Sequence, residues 1–330
     1  MDNSAVARLV TRAVERRALL TRDEATTAYR LVNGAGDMLP GVTVDHYDGV
    51  LVVNLYDTEA DPRPVVAALS ALPGTRSIYV KRRPRTAARL SAEETAALAP
   101  HTPAWGERVE SLAVRENNLS YLIRPGAGLS AGLFLDMRET RARVRTLAAG
   151  AAVLNTFAYT CAFGVAAAAG RAARALNLDA ARPALAWGQE NYGLNGLAAD
   201  PYDFVYGDAF DWLGRLARRA AGGGQAFDLV IADPPSYSTV KGRRFAVSRD
   251  YAELAAACAR VAAPGGLLLL CANEARLPRA AFQRDCLRGI AAAGRAARVQ
   301  AYDSAPALDF PVPPGEESHL KGLLLRLDKR

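Results

Sequence analysis

Hydrophobic and polar positions alternate with a period of two through much of the first eighty residues. AYRLVN, GVTVDHY and VLVVNLY predict strands, the last two joined by Asp48-Gly49. Both turn residues of such a hairpin need positive φ, which Asp-Gly supplies. Residues 4 to 20 predict a basic amphipathic helix. A Pro-bounded helix (PVVAALSAL) and a strand (RSIYVKRR) complete a small α/β unit ending near residue 85, and Pro84 to Gly106 reads as a connection. After a second hairpin, RVESLAVRENNLSYLIRP, the pattern changes. AAVLNTF, AARALNL, DFVYG, FDLVIAD and GGLLLLCAN fit strands separated by Ala-rich helical stretches. That alternation predicts βαβ units and a mainly parallel sheet with helices on both faces. The expected division is a small hairpin-containing α/β domain plus linker over residues 1–100 and a doubly wound α/β domain over 101–330. In such sheets ligands bind outside the carboxyl ends of the strands.

Composition narrows the function classes. No run of about 20 apolar residues exists, so no membrane span is expected. The N-terminus, MDNSAVARLVTRAVERR, is too charged for a secretion signal. Cys161, Cys258, Cys271 and Cys286 form no CxxC pair and no Cys/His cluster, which argues against a disulfide scaffold or a metal site and fits a cytoplasmic protein. The net charge of +7 points to a polyanionic partner. The bases are nearly all arginine in an Ala-rich chain, so genomic composition is a competing explanation.

The corners after the strands carry the candidate chemistry. NTFAYTCAFGV follows the first strand of the sheet without the GxGxxG of a dinucleotide site. LNLDAA ends a strand on Asp179, whose carboxylate suits two ribose hydroxyls. YGDAF places Asp208 for an adenine amino group, and FDLVIADPPSYSTVKGRR follows with Asp233. Each acid alone reads as a helix cap. At successive strand ends they describe a nucleoside pocket without a pyrophosphate clamp, which S-adenosylmethionine (SAM) fits.

With GLFLDMRETR (132–141), NTFAYTCAFGV (155–165), NYGLNGL (191–197), GDAF (207–210), ADPPSYSTVK (232–241) and HLKGLLLRL (319–327) in view, the chain resembles the class I SAM-dependent methyltransferases. More narrowly, it resembles the bacterial 23S rRNA large-subunit family that includes the cytosine-5 enzymes, without the PUA RNA-binding module that usually precedes it. The resemblance implies a Rossmann-like methyltransferase domain, SAM as cofactor and large-subunit rRNA as partner, with no metal. It leaves oligomeric state open, a homodimer included. It assigns Asn155, Phe157, Tyr159, Thr160, Asp179 and Asp208 to SAM, and Phe134, Asp136 and Arg138 to a motif closing over the cofactor. It assigns Asp233 to SAM as well, and places Asp233, Pro234, Pro235 and Tyr237 in the motif facing the target base. With no PUA module, RNA phosphates are expected to meet Lys81, Arg82, Arg83, Arg85, Lys241, Arg243 and Arg244.

The two prolines explain why a buried strand ends on so awkward a corner. They fix φ and lack N–H groups, so the corner is stiff and its carbonyls stay free. Tyr237 offers a stacking face beside the bases of STVKGRR. Two departures from the family stand out. Cys161-Ala162 replaces the glycines that usually follow Tyr-Thr, a feature that also suits a non-catalytic RNA-binding or ribosome-assembly factor. Asn273 holds the aligned position of the cytosine-5 nucleophile, with Cys271 two residues earlier on the same strand face. Cytosine C5 and a guanine nitrogen are both open as the target.

Overall fold

The N-terminal amphipathic stretch folds as α1 (Asn3–Arg16) and one further turn, α2 (Ala18–Thr21), in a computed structural model that describes residues 2–84, 90–240 and 243–329. Val6, Val10 and Ala13 recur at helical spacing and are buried. The helix expected over residues 4–20 breaks at Arg17, which is fully buried. Its guanidinium meets both oxygens of Asp37 at 2.7 Å and donates to the Asp309 carbonyl at 2.9 Å. A cation taken out of water needs such partners.

β1 (Ala28–Asn33), β2 (Val42–Tyr47), β3 (Val50–Leu55), β4 (Ser77–Arg82) and β5 (Trp105–Gly106) form one sheet in that order. Asp48 and Gly49, at φ 48° and 82°, close the β2–β3 hairpin. α3 (Arg63–Ser70) crosses to β4, which is parallel to β3. Val44, Val53, Leu55 and Ile78 share a core with Val6 and Val10 of α1 and Val65 and Leu69 of α3. The stretch read as a connection also holds α4 (Ala92–Leu98), opened by a Ser91–Glu94 capping box. β6 (Leu112–Glu116) and β7 (Leu119–Ile123) form the second hairpin, turning at left-handed Asn117-Asn118.

This first compact unit extends to Arg138 and regains Pro306–Glu316, so the division falls later than residue 100. Two contacts explain why. The Thr27 N–H donates to the Arg115 carbonyl at 2.8 Å and the Arg115 N–H to the Thr27 hydroxyl at 2.9 Å, which binds the β6–β7 hairpin to the start of β1. Arg138 grips Asp309 with two bonds of 2.8 and 2.7 Å, both groups buried, and the Arg30 N–H reaches the same carboxylate at 3.2 Å.

The second unit begins within α5 (Arg138–Leu147). Its strands are β8 (Ala152–Thr156), β9 (Arg174–Asp179), β10 (Phe204–Tyr206), β11 (Phe227–Ala232), the hairpin pair β12 (Tyr237–Val240) and β13 (Arg243–Ala246), β14 (Ala262–Asn273), β15 (Ala297–Asp303) and β16 (Leu320–Leu327). Its further helices are α6 (Ala162–Ala169), α7 (Arg182–Leu194), α8 (Ala209–Ala221), α9 (Val247–Val261) and α10 (Arg279–Ala292). Seven strands lie in the order β10-β9-β8-β11-β14-β16-β15, with only β16 running against its neighbours. The order reverses between β8 and β11, the switch point of a Rossmann-like sheet. Strand alternation separates the two faces. Leu154, Leu176, Leu178, Val230 and Leu268 share a core with Leu254, Ala255 and Ala259 of α9, whereas Asn155 and Asn177 bond to each other and Asn177 to Tyr192 of α7. No described helix is long and apolar enough to cross a membrane.

Lys81, expected to meet phosphates, is instead 1% exposed on β4, opposite Asn54, and its Nζ has no hydrogen-bond partner. Burial first, and then the Arg83 cation, push its amine down from 10.5 to about 7, against the pull of Asp45. Below about 7 both folded and unfolded chains hold the proton and the burial cost is full. Between 7 and 10.5 only the unfolded chain holds it, so stability rises with pH, by about 1.4 kcal/mol per unit at most. Lys81→Met should therefore raise the melting temperature, and by more at about pH 6 than at about pH 9. A fall at both would mean that the amine has a partner.

Candidate active site

The corner after β8 is built from left-handed residues. Phe157, Tyr159 and Cys161 have φ of 58°, 49° and 59°, a region that costs a non-glycine residue roughly 1–2 kcal/mol. Hydrogen bonds hold each turn in place. The Ala158 N–H donates to the Leu178 carbonyl at 3.0 Å, the Tyr159 N–H to Asp179 Oδ2 at 2.7 Å and the Cys161 N–H to the Ala158 carbonyl at 2.7 Å. Asn191 Nδ2, from the NYGLNGL stretch, donates to the Thr160 carbonyl at 2.9 Å. The Cys161 sulfur fills space that a Cβ on Gly188 would otherwise occupy. Burial, and then the Asp179 carboxylate, hold its thiol well above 9, so it stays protonated. Cys161 is a packing residue in a position that glycine would suit.

Asp179 ends β9 and accepts the Tyr159 N–H on one oxygen and the Ala181 N–H, at 2.8 Å, on the other. Burial raises its carboxyl above the usual aspartate value, against the pull of the N–H groups of Tyr159, Ala181 and Ala180. Asp208 caps α8, accepting the Asp211 N–H at 2.9 Å. A carboxylate offers about four acceptor sites, so both acids keep capacity for a ligand. Ala180, Gly207, Asp208, Thr239 and Val240 line part of a cavity of about 450 Å³. Acceptors at successive strand ends suit hydroxyls and an exocyclic amine, so SAM fits this donor-and-acceptor set. Asn155 is buried on the opposite face, its Nδ2 on Asn177 Oδ1 at 2.9 Å and its Oδ1 without a partner.

The corner after β11 leaves Asp233 partly buried, Pro234 buried and Pro235 exposed, and continues as the β12–β13 hairpin. Tyr237 is 40% exposed at its base. Nothing in DPPSY foretold what anchors the hairpin. Phe245 of β13, 2% exposed, packs its ring 6.4 Å from Phe157 and 5.8 Å from Phe210. The only sequence signal was an aromatic one residue beyond the arginines. Ser236 Oγ donates to the Asn273 carbonyl, and Tyr251 Oη to the Cys271 carbonyl at 2.6 Å. Asn273 is exposed at the end of β14, whereas Cys271 is fully buried.

The expected basic surface is largely occupied. Arg82 donates to the Thr58 and Ala60 carbonyls, and Arg83 to Asn54 Oδ1 at 2.8 Å. Arg244 is exposed opposite Thr239 on the hairpin. Arg85, Lys241 and the Arg243 side chain lie outside the described residues. In the first unit, Phe134 is 46% exposed, while Asp136 and Arg138 are buried, Arg138 on Asp309.

Residues 29–309 match the family of S-adenosylmethionine-dependent methyltransferases. The chain belongs to that family. YwbD of Bacillus subtilis is 34% identical over 272 residues, 80% of this chain and 65% of that one. A Deinococcus radiodurans protein named ribosomal RNA large subunit methyltransferase is 33% identical over 328 residues, 96% of this chain and 77% of that one. The chain thus spans from just under two thirds to about three quarters of these relatives' length. The crystal structure of SMU.776 complexed with SAH, 27% identical, covers 99% of this chain and 82% of that one at a TM-score of 0.87. As in the rest of the family, SAM is the cofactor.

Three outcomes follow from this geometry. A hydrogen bond to a charged group contributes about 1.5–3 kcal/mol, so Asp179→Ala should weaken SAM in calorimetry by roughly tenfold or more. Because burial raises the Asp179 carboxyl, native affinity should begin to fall with acid at a higher pH than an ordinary aspartate would give. Asp179→Asn should remove that dependence. For Phe245→Ala, the expected result is faster proteolysis within residues 237–246. Unaltered proteolysis would mean that the hairpin is held elsewhere.

Proposed function

We propose that this methyltransferase modifies a base of large-subunit ribosomal RNA, at a ring or amino nitrogen. The substrate class is supported by the name of the Deinococcus relative and by the net charge of +7. The observation that carries the choice of atom is the burial of Cys271, which is 0% exposed within β14. Cytosine C5 becomes nucleophilic only after a thiolate adds to C6. A nitrogen already has its lone pair and needs only positioning.

When bound, SAM supplies an electrophilic methyl group. Asp179 accepts the ribose hydroxyls and Asp208 the adenine amine, and both are held by backbone N–H groups, so the cofactor's orientation is set before the base arrives. Tyr237 stacks the extruded base, a contact of ~1–3 kcal/mol. The carbonyls along Asp233-Pro234-Pro235, on a chain stiffened by proline, accept from its exocyclic amine. The Asn273 amide, its main chain pinned by Ser236, reads the base edge. Arg244 meets a phosphate. Arg138 is given a structural role, since its guanidinium is taken by Asp309.

RNA substituted with 5-fluorocytosine tests the atom. No covalent protein–RNA adduct should accumulate, Cys271→Ala should keep near-native activity, and Asn273→Ala should lose more. A stable adduct that disappears in Cys271→Ala would overturn the nitrogen assignment. Absence of SAM binding by the native chain would favour an assembly factor that only keeps the fold.

A further inference from the structure

We propose that Arg182, Tyr206, Trp212 and Arg215 form a stacking platform for an unpaired RNA nucleotide flanking the target base. The inference rests on the RNA reading above. Arg182, at the start of α7, sets its guanidinium 4.2 Å from the centre of the Tyr206 ring, and Arg215 of α8 lies 5.3 Å from the Trp212 ring. Tyr206 is 47% exposed and both arginines are exposed. Among the described residues no carboxylate pairs with either guanidinium, whereas Arg143, Arg174, Arg249 and Arg288 of the same unit have acidic partners.

The rings are fixed from behind. Tyr206 pairs with Asp179 across the β10–β9 ladder, and the Trp212 indole N–H donates to the Tyr206 carbonyl at 3.3 Å. Trp212 also covers Gly207, where any Cβ would strike its ring. A surface ordered before binding loses little entropy when a base arrives. Bases stack on aromatic rings and on guanidinium planes alike, whatever their identity.

Charge decides between this occupant and the cofactor. Asp208 and Asp211 line the same cavity, yet among the described residues neither pairs with Arg182 or Arg215. The adenosine of SAM carries no phosphate for these guanidiniums, whereas the RNA backbone supplies one. Position agrees. Tyr206, Trp212 and Arg215 line the cavity shared by the cofactor-side residues Ala180, Gly207 and Asp208 and by Thr239 and Val240, on the hairpin that carries Tyr237. A strand whose target base lies on Tyr237 has its neighbouring nucleotide at hand for this platform.

Anisotropy of a fluorescein-labelled single-stranded RNA of about 12 nucleotides, within the site sizes of single-strand binders, tests the platform on the full chain. Calorimetric SAM titration runs in parallel. Tyr206→Leu keeps bulk and removes the π face, so RNA affinity should fall about tenfold with an unchanged salt slope. Arg182→Met with Arg215→Met should shrink the log–log slope by about 0.7 per lost phosphate. SAM affinity should stay native in both. Native RNA affinity in Tyr206→Leu would overturn the platform while leaving the RNA reading intact. A loss of SAM affinity with RNA binding retained would return these residues to the cofactor pocket and overturn it too. If the native chain fails to bind the RNA at all, the RNA reading falls, and the platform with it.

Discussion

The ring of Phe245 is where the corners after β8 and β10 meet the β12–β13 hairpin. It sits between Phe157, in the left-handed corner after β8, and Phe210, in the first turn of α8 beside Asp208. The cofactor-side corners and the hairpin bearing Tyr237 are thereby packed against one another rather than merely adjacent in sequence. An isolated two-stranded hairpin is marginal in water, so this one needs such an anchor. Apolar packing with no hydrogen-bond register suits the task, since it holds the hairpin while leaving Tyr237 and Arg244 exposed.

The left-handed corner shows how strain and ligand acceptors are coupled. Three side-chain-bearing residues occupy backbone space that glycine would take without penalty, and they persist because hydrogen bonds over-determine them. The Asp179 carboxylate is one of those constraints. It fixes Tyr159 and Ala181 through their backbone N–H groups and keeps further acceptor capacity. Replacing it would remove a structural brace of the corner together with the proposed ribose contact.

The first unit relies on buried charge to a degree that its amphipathic pattern conceals. Arg17 with Asp37, Arg138 with Asp309, and Arg30 with Asp45 are ion pairs with buried or nearly buried side chains. Asp309 also accepts from the Arg17 guanidinium and the Arg30 backbone N–H, and so fastens Pro306–Glu316 to the end of α1 and to β1. Ion pairs of this kind gain little net stability over apolar packing, but breaking one leaves an uncompensated charge. They therefore specify one arrangement of the chain. Lys81 is the exception, an amine buried without a partner.

Local rules determined much of this protein from its sequence. Period-two patterning placed the strands, Asp48-Gly49 marked its hairpin through φ alone, and the acids at the ends of β9 and β10 were legible because each strand feeds directly into its corner. What only the tertiary structure decided depends on residues far apart in the chain. Strand alternation showed that Cys271 and Asn273 share a face, but not that the first is wholly buried and the second exposed, because burial is set by what packs around a strand's end. Lys81, Arg82 and Arg83 looked like a basic surface, yet one is buried and two hold neighbouring backbone or side chains, because the fold brings Thr58, Ala60 and Asn54 to them. Phe245 carried no signal beyond its place next to the arginines. An apolar residue in a polar hairpin becomes an anchor only when two other corners, 88 and 35 residues earlier by their positions at Phe157 and Phe210, arrive on either side of its ring.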